Sequence, residues 1–182
     1  MIDPGDEAGI LKILKTHQLA LKYLLHTHGH LDHVSATAAL QQQTGAPVLI
    51  HEADQILVDN LELQATVFGL AAPGTPTVDR YIHEGDEINW GTHTLSVIET
   101  PGHSPGGVCL SLEGEKILFA GDTLFQDSIG RTDLWGGDYE QLLDSIREQL
   151  WQLDDDTVVC PGHGPRTTIG REKRENPFLQ GL

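Results

Sequence analysis

The sequence predicts a mixed α/β fold in a single domain, residues 1–182. Short apolar runs of strand length are interspersed with amphipathic stretches of helix length, with no internal repeat and no low-complexity segment. Histidines and aspartates recur just after the apolar runs, at the strand ends where layered α/β folds build sites. A chain of 182 residues can bury one sizeable core and is short for two.

Residues 6–16 read as a helix, with Asp6 as its cap and Ile10, Leu11 and Leu14 on one face. Tyr23-Leu24-Leu25 reads as a buried strand. The stretch from His26 to His33 is too polar for core. A helix is expected over 34–43, ended by Thr44-Gly45, then a strand over 47–50 and a helix over 52–68. A Pro/Gly-rich loop follows at 72–76, and from Tyr81 the pattern changes. Residues 94–99 alternate and break at Thr100-Pro101-Gly102. Residues 107–112 and 116–120 flank Glu113-Gly114-Glu115 as a hairpin. The last elements are a helix over 139–150 capped by Asp138, a strand over 157–160 and a helix over 168–175.

Apolar residues make up 38% and charged residues 21%, which is a globular profile and not a disordered one. No apolar run nears the roughly 18 residues of a membrane helix. Met1-Ile2-Asp3-Pro4 does not resemble a signal peptide, so a cytoplasmic location and no membrane partner are expected. The net charge of -16 repels nucleic acid, which is excluded as an expected partner. Cys109 and Cys160 give no disulfide framework, and a reducing compartment follows. Cys109 lies in a strand-like run and reads as a small buried hydrophobe.

His28-Gly29-His30-Leu31-Asp32-His33 puts three imidazoles and a carboxylate within six residues, just after a strand. Imidazole and carboxylate suit zinc, iron or manganese. Three further elements add to it: Pro101-Gly102-His103 in a turn between strands, Gly121-Asp122 at the end of an apolar strand, and Gly162-His163 after another. Each alone is weak, because a lone histidine after a strand is more often a satisfied polar residue. Together they point to a metal centre. His17, His26, His51, His83 and His93 fall outside these motifs and are read as surface or structural.

The motif order Thr27-His28-x-His30-x-Asp32-His33, Pro101-Gly102-His103, Gly121-Asp122 and Gly162-His163 resembles the metallo-β-lactamase superfamily across nearly the whole chain. Within it, the glyoxalase II-like (hydroxyacylglutathione hydrolase-like) branch is the nearest pattern. The resemblance implies a four-layer αββα sandwich and two divalent metal ions, zinc first, with iron or manganese as alternatives. It implies that His28, His30 and His103 hold one metal, that Asp32, His33 and His163 hold the second, and that Asp122 bridges them. The implied activity is hydrolysis of a small-molecule thioester or ester. A water shared by two cations, only partly offset by Asp32 and Asp122, should ionise near neutral pH and attack the carbonyl. Asp32 would also orient that nucleophile. Asp3 resembles the family's carboxylate that orients a ligand histidine, although Asp3-Pro4-Gly5 also reads as a plain turn.

Family members carry further strands before the Asp-Pro-Gly element. Here Met1 stands two residues before Asp3, so the first N-terminal strands are expected to be missing, and a homodimer is one way to cover the edge. The helical C-terminal domain of glyoxalase II is also expected to be absent. Arg131, in Gly130-Arg131-Thr132-Asp133, matches the region where glyoxalase II sets a basic residue against a glutathione carboxylate. It is the candidate substrate-binding residue for an anionic thioester. Asp133 replaces the family's tyrosine, and an ion pair of Arg131 with Asp133 or Asp127 is the structural alternative. A competing enzyme class is the mononuclear iron persulfide dioxygenase of the same superfamily, which would use His28, His103 and Asp122. The form Pro161-Gly162-His163-Gly164-Pro165 favours the hydrolases. A β-lactamase or a nuclease fits less well.

Overall fold

The computed structural model describes residues 1–112 and 114–181; Glu113, at the tip of the expected hairpin, and Leu182 lie outside the described residues. The chain divides into two compact units, Met1–Ile82 and His83–Leu182.

In the first unit, α1 (Glu7–His17) starts at Asp6, whose side chain accepts the Gly9 amide, and ends where Gln18 turns left-handed at φ 53°. There follow β1 (Leu24–Leu25), α2 (Leu31–Val34), α3 (Thr37–Thr44) and β2 (Val48–His51). The helix expected over 34–43 therefore starts earlier and is broken at Ser35-Ala36. The Pro4 carbonyl takes the Ala36 amide, a backbone donor that would otherwise continue the helix, and the Gly5 carbonyl takes the Ser35 hydroxyl.

The helix expected over 52–68 is also divided. A 3-10 turn (Glu52–Asp54) leads into α4 (Gln55–Asp59) and α5 (Leu61–Phe68). They part at Asn60, with φ -112°, whose side-chain amide donates to the Ile56 carbonyl. An Asn side chain that bonds the backbone in this way competes with the helix ladder. The last element, β3 (Arg80–Ile82), is mostly exposed and carried no sequence signal. The three strands form a parallel sheet in the order β1-β2-β3, and Ile2 makes an isolated parallel bridge to Leu25. Parallel strands are covered on both faces, which is why β1 and β2 read as unbroken apolar runs. Leu24, Leu40 and Val48 form one buried cluster; Leu31, Ile50, Val58 and Leu61 form another.

The second unit contains β4 (Glu87–Trp90), β5 (His93–Glu99), β6 (Val108–Leu112) and β7 (Ile117–Gly121). A small hairpin, β8 (Leu124–Phe125) and β9 (Ser128–Ile129), comes next. Then come α6 (Tyr139–Glu148), a 3-10 turn (Leu150–Gln152), β10 (Val158–Pro161), β11 (Thr167–Thr168) and α7 (Ile169–Glu175). The six-stranded sheet has the order β11-β10-β7-β6-β5-β4. Asp138 caps α6 by accepting the Gln141 amide, and Leu142, Ile146 and Leu150 bury against Leu118, Leu124, Val159 and Ile169. Each such side chain is worth about 1.5–3 kcal/mol of apolar burial.

Strand direction is what positions the chemistry of this unit. β6 is antiparallel to both β5 and β7, so β5 and β7 run the same way, and β10 is parallel to β7. The C-terminal ends of β5, β7 and β10 therefore share one edge of the sheet. His103, Asp122 and His163 lie just after those three ends. Among the described residues no helix is long and apolar enough to cross a membrane.

Candidate metal centre

In the first unit, Asp3 organises the histidine-rich loop. Its φ of 47° is an unusual backbone conformation that aspartate tolerates better than most residues. Its Oδ1 accepts the Thr27 amide at 2.8 Å, and its Oδ2 accepts the Thr27 hydroxyl at 2.7 Å. Because that hydroxyl hydrogen is committed to Asp3, Thr27 Oγ1 faces His28 Nδ1, 3.0 Å away, as an acceptor. Asp3 Oδ2 also lies 3.2 Å from His33 Nδ1. Both imidazoles thus have Nδ1–H directed at an oxygen, which suits Nε2 as the atom that would bind a metal. The plain-turn reading of Asp3 does not describe these contacts.

The rings of His28 and His30 are edge to face at 4.9 Å between centroids, and those of His28 and His33 are 4.0 Å apart. All three histidines are buried, and Asp32, 57% exposed, puts Oδ2 3.6 Å from His33 Nε2. The loop backbone is held from the far side. The fully buried Asp54 accepts the Gly29 amide at 2.8 Å. Gln64, on α5, accepts the Leu31 amide at 2.9 Å and donates to the Gly29 and Leu57 carbonyls. Neither residue had a signal in the sequence, since each meets the loop only through the tertiary fold. His26 is buried beside this loop, with Nε2 3.2 Å from Thr37 Oγ1, and burial pushes its pKa down to about 4. It is buried and not at the surface.

In the second unit, Asp122 Oδ2 lies 3.7 Å from His103 Nε2 and 3.7 Å from His163 Nε2. These separations are too long for a hydrogen bond. Each suits a carboxylate oxygen and an imidazole that share a cation, because atoms bound at the usual zinc distances sit about 3.3–3.5 Å apart on a tetrahedron. His103 Nδ1 is 2.7 Å from the Arg131 carbonyl; a carbonyl only accepts, so Nδ1 carries the hydrogen and Nε2 is again the atom that would bind a metal.

Close packing fixes both loops. A Cβ on Gly102, at φ 130°, would come within 2.3 Å of the Leu142 amide nitrogen, so α6 can press directly on the turn that carries His103. A Cβ on Gly130 would lie 1.9 Å from the Asp122 carbonyl and 3.1 Å from His103 Cβ. Ser145, from α6, donates to the Pro101 carbonyl at 2.7 Å, and Thr100 and Thr123 hydroxyls meet at 2.9 Å. Cys109 is buried beneath them, and burial raises its thiol to about 11, which fits the inert hydrophobe expected.

Arg131 forks onto Asp133, with Nε to Oδ1 at 2.7 Å and Nη2 to Oδ2 at 2.8 Å. Those bonds hold the Asp133 carboxyl down at about 2. The guanidinium leaves a backbone whose carbonyl is bonded to His103, so its root is beside the centre while its charge is matched locally. The donor chemistry of both units fits divalent metals: imidazole Nε2 atoms with their Nδ1 side held by oxygen, and carboxylates beside them.

A sequence model described as the metallo-beta-lactamase superfamily matches residues 1–163. The hydroxyacylglutathione hydrolase GloC of Haemophilus influenzae is 43% identical over 98% of this chain and 86% of its own length. Two solved structures are similar over nearly all of it. TTHA1623 in a di-iron-bound form has a TM-score of 0.91 and 42% identity, covering 98% of this chain and 88% of that one. The BLEG-1 B3 metallo-beta-lactamase has a TM-score of 0.91 and 40% identity, covering 99% and 88%.

Proposed function

Because the chain belongs to the metallo-β-lactamase superfamily and has its fold, we propose that it is a binuclear metal-dependent hydrolase that cleaves a thioester or ester. In this reading His28, His30 and His103 hold one metal, Asp32, His33 and His163 hold the other, and Asp122 bridges. The observation that supports it most is Asp122 Oδ2, equidistant at 3.7 Å from His103 Nε2 and His163 Nε2. A carboxylate oxygen so placed can share a cation with each of the two imidazoles, as a bridging ligand must. The likeness to the di-iron TTHA1623 supports a two-metal site and leaves zinc, iron or manganese open by ligand chemistry.

Divalent cations there supply Lewis acidity and a more acidic water. The chain's own residues do the rest. Asp32, exposed beside His33, orients the attacking water and takes up its proton. Hydroxyl joins the acyl carbon, the carbon–sulfur bond breaks, and the proton ends on the departing thiolate. Asp3, Thr27 and the Arg131 carbonyl hold the imidazoles in the tautomer that binding requires. Arg131 contacts an anionic substituent of the substrate. The similarity to a hydroxyacylglutathione hydrolase supports a glutathione thioester as the first substrate to try. Free Cys109 and Cys160 are in keeping with a reducing cytoplasm.

The test is S-lactoylglutathione with and without oxygen, and glutathione persulfide in parallel. Thiol release undiminished without oxygen, and lost in His30→Ala and His163→Ala, is expected. Oxygen uptake with the persulfide that survives both substitutions would assign the chain to the iron dioxygenases instead.

A further inference from the structure

A buried carboxylate outside the ligand set links two of the ligand loops. Glu172, on α7, is 0% exposed and receives four donors. Oε1 accepts the Thr167 hydroxyl at 2.5 Å and Arg171 Nη1 at 2.6 Å. Oε2 accepts the Asp127 amide at 2.9 Å and Asn176 Nδ2 at 2.9 Å. A carboxylate offers about four lone-pair sites, so this one is saturated.

The donors come from different places. Asp127, at φ 59°, is the tip of the β8–β9 hairpin that begins just after Asp122. Thr167 is on the return strand of the β10–β11 hairpin, whose tip carries His163. Arg171 and Asn176 brace the β8–β9 tip: Arg171 Nη2 pairs with Asp127 at 2.8 Å, and Asn176 Nδ2 donates to the Ser128 carbonyl at 3.0 Å. Where β7 and β10 end, the Gly162 amide donates to the Gly121 carbonyl at 2.8 Å. The segments that carry Asp122 and His163 are therefore tied twice, once directly at these strand ends and once through Glu172.

We propose that Glu172 is a positioning residue for the metal centre, a buried anchor that sets the separation of Asp122 and His163 by gripping the hairpin of each. The ordinary alternative is a stability role only, for α7. The two differ because a stability role gives no reason for the carboxylate to reach both hairpins. Removing its charge would leave amide, hydroxyl and guanidinium donors facing one another and would let the hairpins drift apart. Ligand pairs tolerate little drift, and loss of a supporting contact typically weakens metal binding 10–100-fold.

The inference rests on the ligand assignment above, and the experiment separates the two. Zinc affinity is measured by competition with a chromogenic chelator, and the cobalt(II)-loaded protein gives an absorption spectrum that reports ligand geometry. Glu172→Gln is compared with the wild type, His163→Ala and Leu95→Ala. Leu95 is buried in β5 at the end away from His103, so its truncation lowers stability without touching either hairpin. Expected are a zinc site weakened on the order of 10-fold in Glu172→Gln, an altered cobalt spectrum, and wild-type affinity in Leu95→Ala despite a lowered melting temperature. Thr167→Val, which removes one donor from Glu172 and keeps the shape, should show the same spectral change in smaller degree if the glutamine variant fails to fold. Wild-type affinity and spectrum in both variants, while His163→Ala loses zinc, would overturn the role of Glu172 alone. Unchanged zinc binding in His163→Ala would overturn the ligand assignment itself.

Discussion

The carbonyl oxygen of Arg131 takes the Nδ1 hydrogen of His103 at 2.7 Å, while the guanidinium of the same residue forks onto Asp133. One residue thus fixes a candidate ligand with its backbone and offers a charge that is already answered. Asp133→Asn should release that charge. For an anionic thioester, KM should then fall several-fold with kcat little changed, and the fall should shrink as salt is raised. Steady-state kinetics at low and high salt check this. A KM for the anionic thioester that ignores the substitution would leave Arg131 a structural residue.

Asp3 serves two imidazoles, one directly and one through Thr27. Asp3→Asn keeps an acceptor for the Thr27 amide but loses the charge that favours Nδ1–H on His33. Metal affinity should drop by roughly 10–100-fold, as read by chelator competition, with the folded far-UV circular dichroism retained.

Metal content tests the bridging role of Asp122. Wild type should carry two metals per chain by mass spectrometry, and Asp122→Ala should lose more than one, since the proposed site has Asp122 serve both, beside His103 and His163. A wild type that saturates at one tightly held metal would favour the dioxygenase reading.

Gly130→Ala should be destabilising out of proportion to its size. The added methyl meets the Asp122 carbonyl at 1.9 Å, and that contact is backbone, which cannot swing aside. A cost of about 1–3 kcal/mol is expected from such overpacking. Thermal unfolding should show it, and metal content should fall with it, because the same methyl crowds His103.

The candidate ligand positions stand out in the sequence because they follow apolar strands, most of them beside glycine or proline, as in Pro101-Gly102-His103 and Gly162-His163. Local pattern and chemistry coincide there. What was illegible depends on partners distant in sequence. The breaks at Ser35-Ala36 and Asn60 come from a loop carbonyl and a side-chain amide competing for helix bonds. The short strands β8, β9 and β11 have two residues each, too few for any period to register. Nothing local marks Glu172 as a buried carboxylate that reaches two hairpins.

Gln64 has a consequence for how the first unit breathes. Its side chain accepts the Leu31 amide and donates to the Gly29 carbonyl, and Asp54 takes the Gly29 amide. The two loop amides are thus shielded by side chains of the helical segment and not by the sheet ladder. Their hydrogens can exchange with solvent only when α5 and the 3-10 turn before α4 lift away from the loop. The histidine loop and this segment should therefore open together, so amide exchange at Gly29 and Leu31 is expected to follow the stability of α5 and not that of the sheet.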